Sequence, residues 1–135
     1  MPDFKNIKHF TETYPSATCD DISKVEAELS LVIPEVYKYF LLETNGAVCA
    51  LATLYDTESL IEMNRTYEVQ EYASGYIAIG NDGGGYQLLM VAEKSSEEFR
   101  LVSDSVGMPS DSDCKDIFDD WLIHSDGNPW RNKNR

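Results

Sequence analysis

Five residues, Asn81-Asp82-Gly83-Gly84-Gly85, separate two strand-like runs, Tyr76-Ile77-Ala78-Ile79-Gly80 and Tyr86-Gln87-Leu88-Leu89-Met90-Val91. Two β-prone segments joined by a glycine-dense turn predict an antiparallel hairpin, with the register left open by the length of the loop. Glycine supplies positive φ and close backbone approach there. A phosphate-binding role is a poor fit. No Lys-Ser or Lys-Thr follows Gly85, the spacing is not G-x-G-x-x-G, and Asp82 would oppose a phosphate.

The flanking segments predict helices and further strands. Ile22, Val25 and Leu29 recur at helical spacing behind a cap at Asp20 or Asp21. Pro34 suits the first position of a second helix, where a missing N–H has no consequence. Val36, Tyr37, Phe40, Leu41 and Thr44 continue that stripe. Asn45-Gly46, tolerant of left-handed backbone, ends it. The two helices read as a short-looped pair covering one side of a sheet. Ile7 and Phe10 suggest a short helical face closed by Pro15. Ala47 to Tyr55 reads as one or two strands, Thr57 to Met63 as a short helix, and Phe99 to Val102 as a third strand before a break at Val106 to Pro109.

Ser112 or Asp113 caps the predicted closing helix, whose apolar face is Cys114, Ile117, Phe118, Trp121 and Leu122. On that reading Asp113 and Asp116 lie near the favourable helix start, and Asp119 and Asp120 nearer the unfavourable end. Residues 124–135 read as a polar C-terminal tail pinned by Trp130. Helices segregated from a mostly antiparallel sheet make an α+β fold, one domain over residues 1–135.

Charge narrows the partners. The chain has 24 acidic and 11 basic residues, a formal net charge of -13. Nucleic acid would be repelled at long range, whereas a basic protein would be attracted and its association accelerated. No apolar run is long enough to span a membrane, and the start, Met1-Pro2-Asp3-Phe4-Lys5, lacks a signal-peptide core. A cytoplasmic location is the expectation. Cys19, Cys49 and Cys114 form no CxxC pair, so neither a disulfide scaffold nor a zinc site is expected, and Cys49 and Cys114 read as buried thiols. His9 and His124 stand far apart in sequence, either of them an ordinary surface residue. A small enzyme would need one of them beside an acid or cysteine in a cleft. No metal, cofactor or catalytic set is predicted.

The order of these motifs resembles the SMI1/KNR4 family, or SUKH superfamily. Ile22-Ser23-Lys24-Val25-Glu26 matches its first helix, and Leu29 and Ile33-Pro34 follow with its spacing. Tyr37 to Gly46 is similar to its second helix and Asn-Gly stop, Tyr76 to Gly85 to its central strand and glycine turn, and Phe118 to Leu122 to its closing helix. The resemblance covers about residues 20–123, with Glu26, Pro34, Asn45, Gly46, Gly80, Gly83, Gly84 and Gly85 as its structural motif. Ala47 stands where the family often has a second glycine, and Ser112 and Phe118 are farther apart than its closing helix usually has them.

The resemblance implies an α+β fold with no catalytic set to carry over. Many bacterial members resemble immunity proteins of polymorphic or contact-dependent toxin systems, which bind and neutralise a cognate toxin domain, often a nuclease. Fungal members resemble regulators of cell-wall synthesis, and a regulatory or scaffold protein binding another cellular protein or a small ligand is the alternative. This small chain is similar to the bacterial kind, and the expected state is a monomer or weak homodimer. Against a basic toxin domain, the partner-binding candidates are Asp82, Tyr86, Asp104, Asp111, Asp113, Asp116, Asp119 and Asp120, with Tyr55 and Trp130 as further anchors.

Overall fold

The computed structural model describes residues 7–103 and 114–132. Their elements run β1 (Phe10–Thr13), α1 (Cys19–Leu29), α2 (Glu35–Glu43), β2 (Ala47–Cys49), β3 (Thr53–Leu54), α3 (Thr57–Thr66), α4 (Val69–Tyr72), β4 (Tyr76–Asn81), β5 (Tyr86–Val91), β6 (Glu98–Ser103), β7 (Lys115–Ile117) and α5 (Phe118–His124). The strands form one sheet in sequence order, every neighbouring pair antiparallel. The α+β class expected from the sequence is therefore observed, and the helices are excursions from a single meander.

The glycine turn joins β4 to β5 as predicted. The register is Tyr76↔Val91 to Asn81↔Gln87, with an irregularity between Ala78 and Gly80. Gly80 is required by packing rather than by φ. A Cβ there would lie 2.3 Å from the Thr53 carbonyl oxygen, so only glycine lets β3 approach β4. Gly46 (φ +86) meets both demands, because a Cβ would also lie 2.8 Å from the Asp56 nitrogen.

Strand β3 covers only Thr53 and Leu54, opposite Asn81 and Gly80 of β4. The first half of β4 thus lacks a strand on that side, and helices supply the missing polar partners. Asn64 of α3, fully buried, accepts from the Ala78 N–H through Oδ1 (2.9 Å) and donates to the Ala78 carbonyl through Nδ2 (2.9 Å). It also donates to the Leu60 carbonyl and accepts from Gln70 Nε2, so its hydrogen-bonding capacity is used in full. The buried Tyr37 hydroxyl of α2 donates to the Tyr55 carbonyl (2.6 Å) and the Ile79 carbonyl (3.0 Å), tying α2 to the end of β3 and to β4. Burial holds its phenol well above the ordinary range.

On the same side, Tyr37 and Phe40 pack against Phe118 of α5, and Trp121 meets Phe99 of β6 edge-on at 5.4 Å between centroids. Glu26 joins α1 to α2 by accepting from the Ile33 N–H (2.8 Å) and pairing with Lys38 (3.0 Å). Yet α1 packs chiefly on α3, so the expected pairing of α1 with α2 is replaced by a bridge through this one carboxylate.

Four local expectations are corrected. The segment at Phe10 is a strand, not a helix, because it pairs with β2 across the chain. The α1 cap is Thr18, and Asp21 is its reciprocal partner in a capping box; Thr18's hydrogen bonds hold the Asp21 carboxyl below its ordinary value. Pro34 is the N-cap of α2 rather than its first residue. Lys115–Ile117 is a strand and α5 starts only at Phe118, which turns Ile117 outward and puts Asp119 and Asp120 in the first turn, at the favourable end of the dipole. The expected caps Ser112 and Asp113, and the break at 106–109, lie outside the described residues.

Asn64→Ala leaves the Ala78 N–H buried without a partner and is expected to destabilise the fold by about 3 kcal/mol. Gly80→Ala is expected to lower stability by about 2 kcal/mol or more through overpacking, and Gly83→Ala by about 1 kcal/mol, because Gly83 has φ +76 but open space around it. Urea unfolding midpoints measure all three, and equal losses at Gly80 and Gly83 would contradict the close approach of β3.

Candidate protein-binding surface

The acids singled out in the sequence divide into those the fold uses and those it leaves facing outward. Asp82 belongs to the first group. Its Oδ1 accepts from the Gly84 N–H (2.8 Å) and the Tyr86 N–H (3.1 Å), closing the turn in which Gly83 and Gly85 take positive φ. Its Oδ2 accepts from Trp130 Nε1 (2.8 Å). Tyr86 is exposed and stands edge-on to Trp130 at 4.9 Å. Trp130 therefore pins the C-terminal segment to the β4–β5 turn, as the sequence suggested. Tyr55 is buried, its hydroxyl spent on Gln87 and Asn81, and is unavailable as an anchor.

The next residue, Arg131, ties down a second pair of acids. Its guanidinium donates to both oxygens of the buried Asp116 (2.6 and 3.0 Å) and to Asp120 Oδ2 (2.7 Å). These carboxylates hold the Arg131 guanidinium above its already high ordinary range. Asp116 Oδ1 also accepts from the Ile117 N–H (2.9 Å), and Asn132 Nδ2 donates to the Lys115 carbonyl (3.1 Å). Two outward backbone groups of β7, at an edge of the sheet, are thereby occupied. Sequence reasoning missed Arg131. Its only signal is adjacency to Trp130, since its partners lie 15 and 11 residues away. Asp104, Asp111 and Asp113 lie outside the described residues.

Asp119 differs from the others. Its Oδ1 is closed off from solvent and has no hydrogen-bond partner among the described residues. Burial, and then the nearby Glu97, raise its carboxyl above the ordinary value of 3.8. Asp119 lines a shallow groove of about 360 Å³ with Glu97, Ile117, Asp120, Ile123 and His124. Ile117 and Ile123 are 43% and 37% exposed, so acids there surround apolar side chains. A larger groove of about 470 Å³ lies between the end of β1, α1 and the start of α3. Its acids Asp21 and Asp56 are committed to capping α1 and α3.

The histidines do not meet in a cleft. His9, expected as ordinary surface, is buried, with Nε2 at 2.8 Å from the Leu122 carbonyl and its ring against Phe10, Trp121 and the backbone of Gly127. His124 is exposed at the end of α5. Among the described residues no group of three or more His, Cys, Asp or Glu is placed to hold a metal ion, and no helix is long and apolar enough to cross a membrane. Cys49 and Cys114 are buried and Cys19 is exposed, and burial pushes the Cys49 thiol up to about 12.

Residues 16–122 match the model of the SMI1/KNR4 family (SUKH-1). The chain belongs to that family. Over 92 residues it is 33% identical to the uncharacterized protein YnaB of Bacillus subtilis (strain 168), a match covering 67% of this chain and 62% of YnaB. It thus spans less than two thirds of that relative's length.

A carboxyl whose folded-state value is raised loses stability on ionising, and the penalty is fully present above the folded value and absent below the unfolded one. Asp119→Asn is therefore expected to raise the urea midpoint at neutral pH, the gain vanishing as pH falls below 3.8. A loss of stability at neutral pH would show that Asp119 has a stabilising partner. Thiol titration of the native protein is expected to detect Cys19 alone, with Cys49 and Cys114 reacting only on unfolding.

Proposed function

We propose that this SUKH-1 domain is an immunity protein: it binds and neutralises the toxic domain of a bacterial polymorphic or contact-dependent toxin, a basic domain such as a nuclease. The observation that carries the reading is a net charge of -13 on a small domain of this family. A nuclease gripping phosphate presents concentrated positive charge, and an acidic surface of matching shape competes for it. Long-range attraction speeds the encounter, and apolar contacts then hold the complex. Neutralisation of this kind needs no turnover, only occupancy.

The acids available for that work are not those whose charge the fold consumes. Asp116 and Asp82 hold the C-terminal segment and the glycine turn, so reversing either charge would report on folding before binding. Asp119, with exposed Tyr86, is left as a contact, while Asp120 already shares its charge with Arg131.

The test is co-expression with the toxic C-terminal domain of a large secreted effector encoded beside this chain's gene. The expected result is a complex of fixed stoichiometry that abolishes the domain's activity in proportion to the amount bound. A fully active effector domain in the presence of excess folded protein would overturn the immunity reading, and a stable complex with an unrelated cellular protein would replace it with a regulatory or scaffold role.

A further inference from the structure

We propose that the groove between β7 and α5 is the docking site for a basic segment of a partner protein, which inserts a Lys or Arg side chain against Asp119 and packs flanking apolar side chains on Ile117 and Ile123. The proposal rests on the protein-binding reading above and names the surface that performs it.

Three features single out this groove. Asp119 Oδ1 is shielded from water and has no partner among the described residues, an arrangement that a cation donating to it would correct. Asp119 and Ile123 lie one turn apart on α5, and Ile117 is the last residue of β7, so acid and apolar groups converge on one concave surface. Glu97 adds negative charge at its rim, where Asp120, paired with Arg131, and exposed His124 also lie. The complement is a cation flanked by apolar groups. A cation alone would leave Ile117 and Ile123 in water, and an apolar segment alone would leave the acids desolvated and unpaired.

The neighbouring edge excludes strand addition at β7. The Ile117 N–H is taken by Asp116 and the Lys115 carbonyl by Asn132, so a partner meets side chains rather than a free backbone ladder. A second copy of this chain is excluded as occupant by sign, since it too carries a net charge of -13. The larger groove beside α1 and α3 also holds acids, but its Asp21 and Asp56 already accept capping hydrogen bonds and its Glu58 shares the lining with Lys24.

The probe is an amphipathic helical peptide of leucine and lysine, with a leucine–glutamate peptide as control, titrated into the intact chain while the isoleucine methyl resonances are followed by NMR. The expected result is saturable shifts centred on Ile117 and Ile123 with the lysine peptide and none with the control. Ile117→Asp, at an exposed position, and Asp119→Asn are each expected to weaken binding about tenfold, the size of an interface hot spot. Shifts centred instead on Ile61 of the other groove would overturn the groove assignment and leave the basic-partner reading standing. Equal binding of the control, or no saturable binding of the lysine peptide at low salt, would overturn the groove and the charge argument together.

Discussion

A sheet whose third strand is two residues long needs something else to complete its centre. In this domain two side chains do so. Asn64 stands in for a strand along Ala78, and the Tyr37 hydroxyl closes the carbonyls of Tyr55 and Ile79. Asn64 buries its polar atoms at full satisfaction, the condition under which a polar core group fixes one arrangement rather than weakening it, and the single Tyr37 hydroxyl proton is shared between its two carbonyls. These bonds tie α2 and α3 to β4 and the end of β3, beside the tight approach at Gly80.

That scaffold sorts the acidic residues. Asp82 and Asp116 are drawn into hydrogen bonds with Trp130 and Arg131, and Glu26 joins α1 to α2. The negative charge that matters for a partner is what is left after those uses. The groove at Asp119 is distinctive because a carboxylate is held there against its own solvation, beside two exposed isoleucines. A carboxyl raised by burial at a surface groove is a feature that sites meeting a ligand share. Total charge is felt far from the protein, whereas Asp119 would act only at contact, so in the proposed association the two belong to successive stages.

Much of the fold was legible because its signals are local. The α2 stripe, the Gly46 stop and the hairpin about Gly83-Gly84-Gly85 are each written within a few residues. The errors fall where pairing is distant. Phe10–Thr13 has mostly exposed residues and becomes a strand only through Ala47–Cys49. Cys114, Ile117, Phe118 and Trp121 are spaced as a helix face, yet β6 captures residues 115–117 as a strand. The candidate surface was legible in kind but not in place. Excess acid was evident, but its division depends on Arg131, which meets Asp116 and Asp120 only after the chain folds back. Asn64 lies one residue beyond the helix expected over Thr57 to Met63, and its partner on β4 has no local marker.

The central claim is that charge draws a basic partner in and a small apolar, acid-rimmed groove retains it. Stopped-flow association of this chain with the toxin domain proposed as its partner, followed over a range of ionic strength, tests it most directly. The association rate is predicted to fall steeply as salt rises while the dissociation rate changes little. An association rate indifferent to salt would contradict the account.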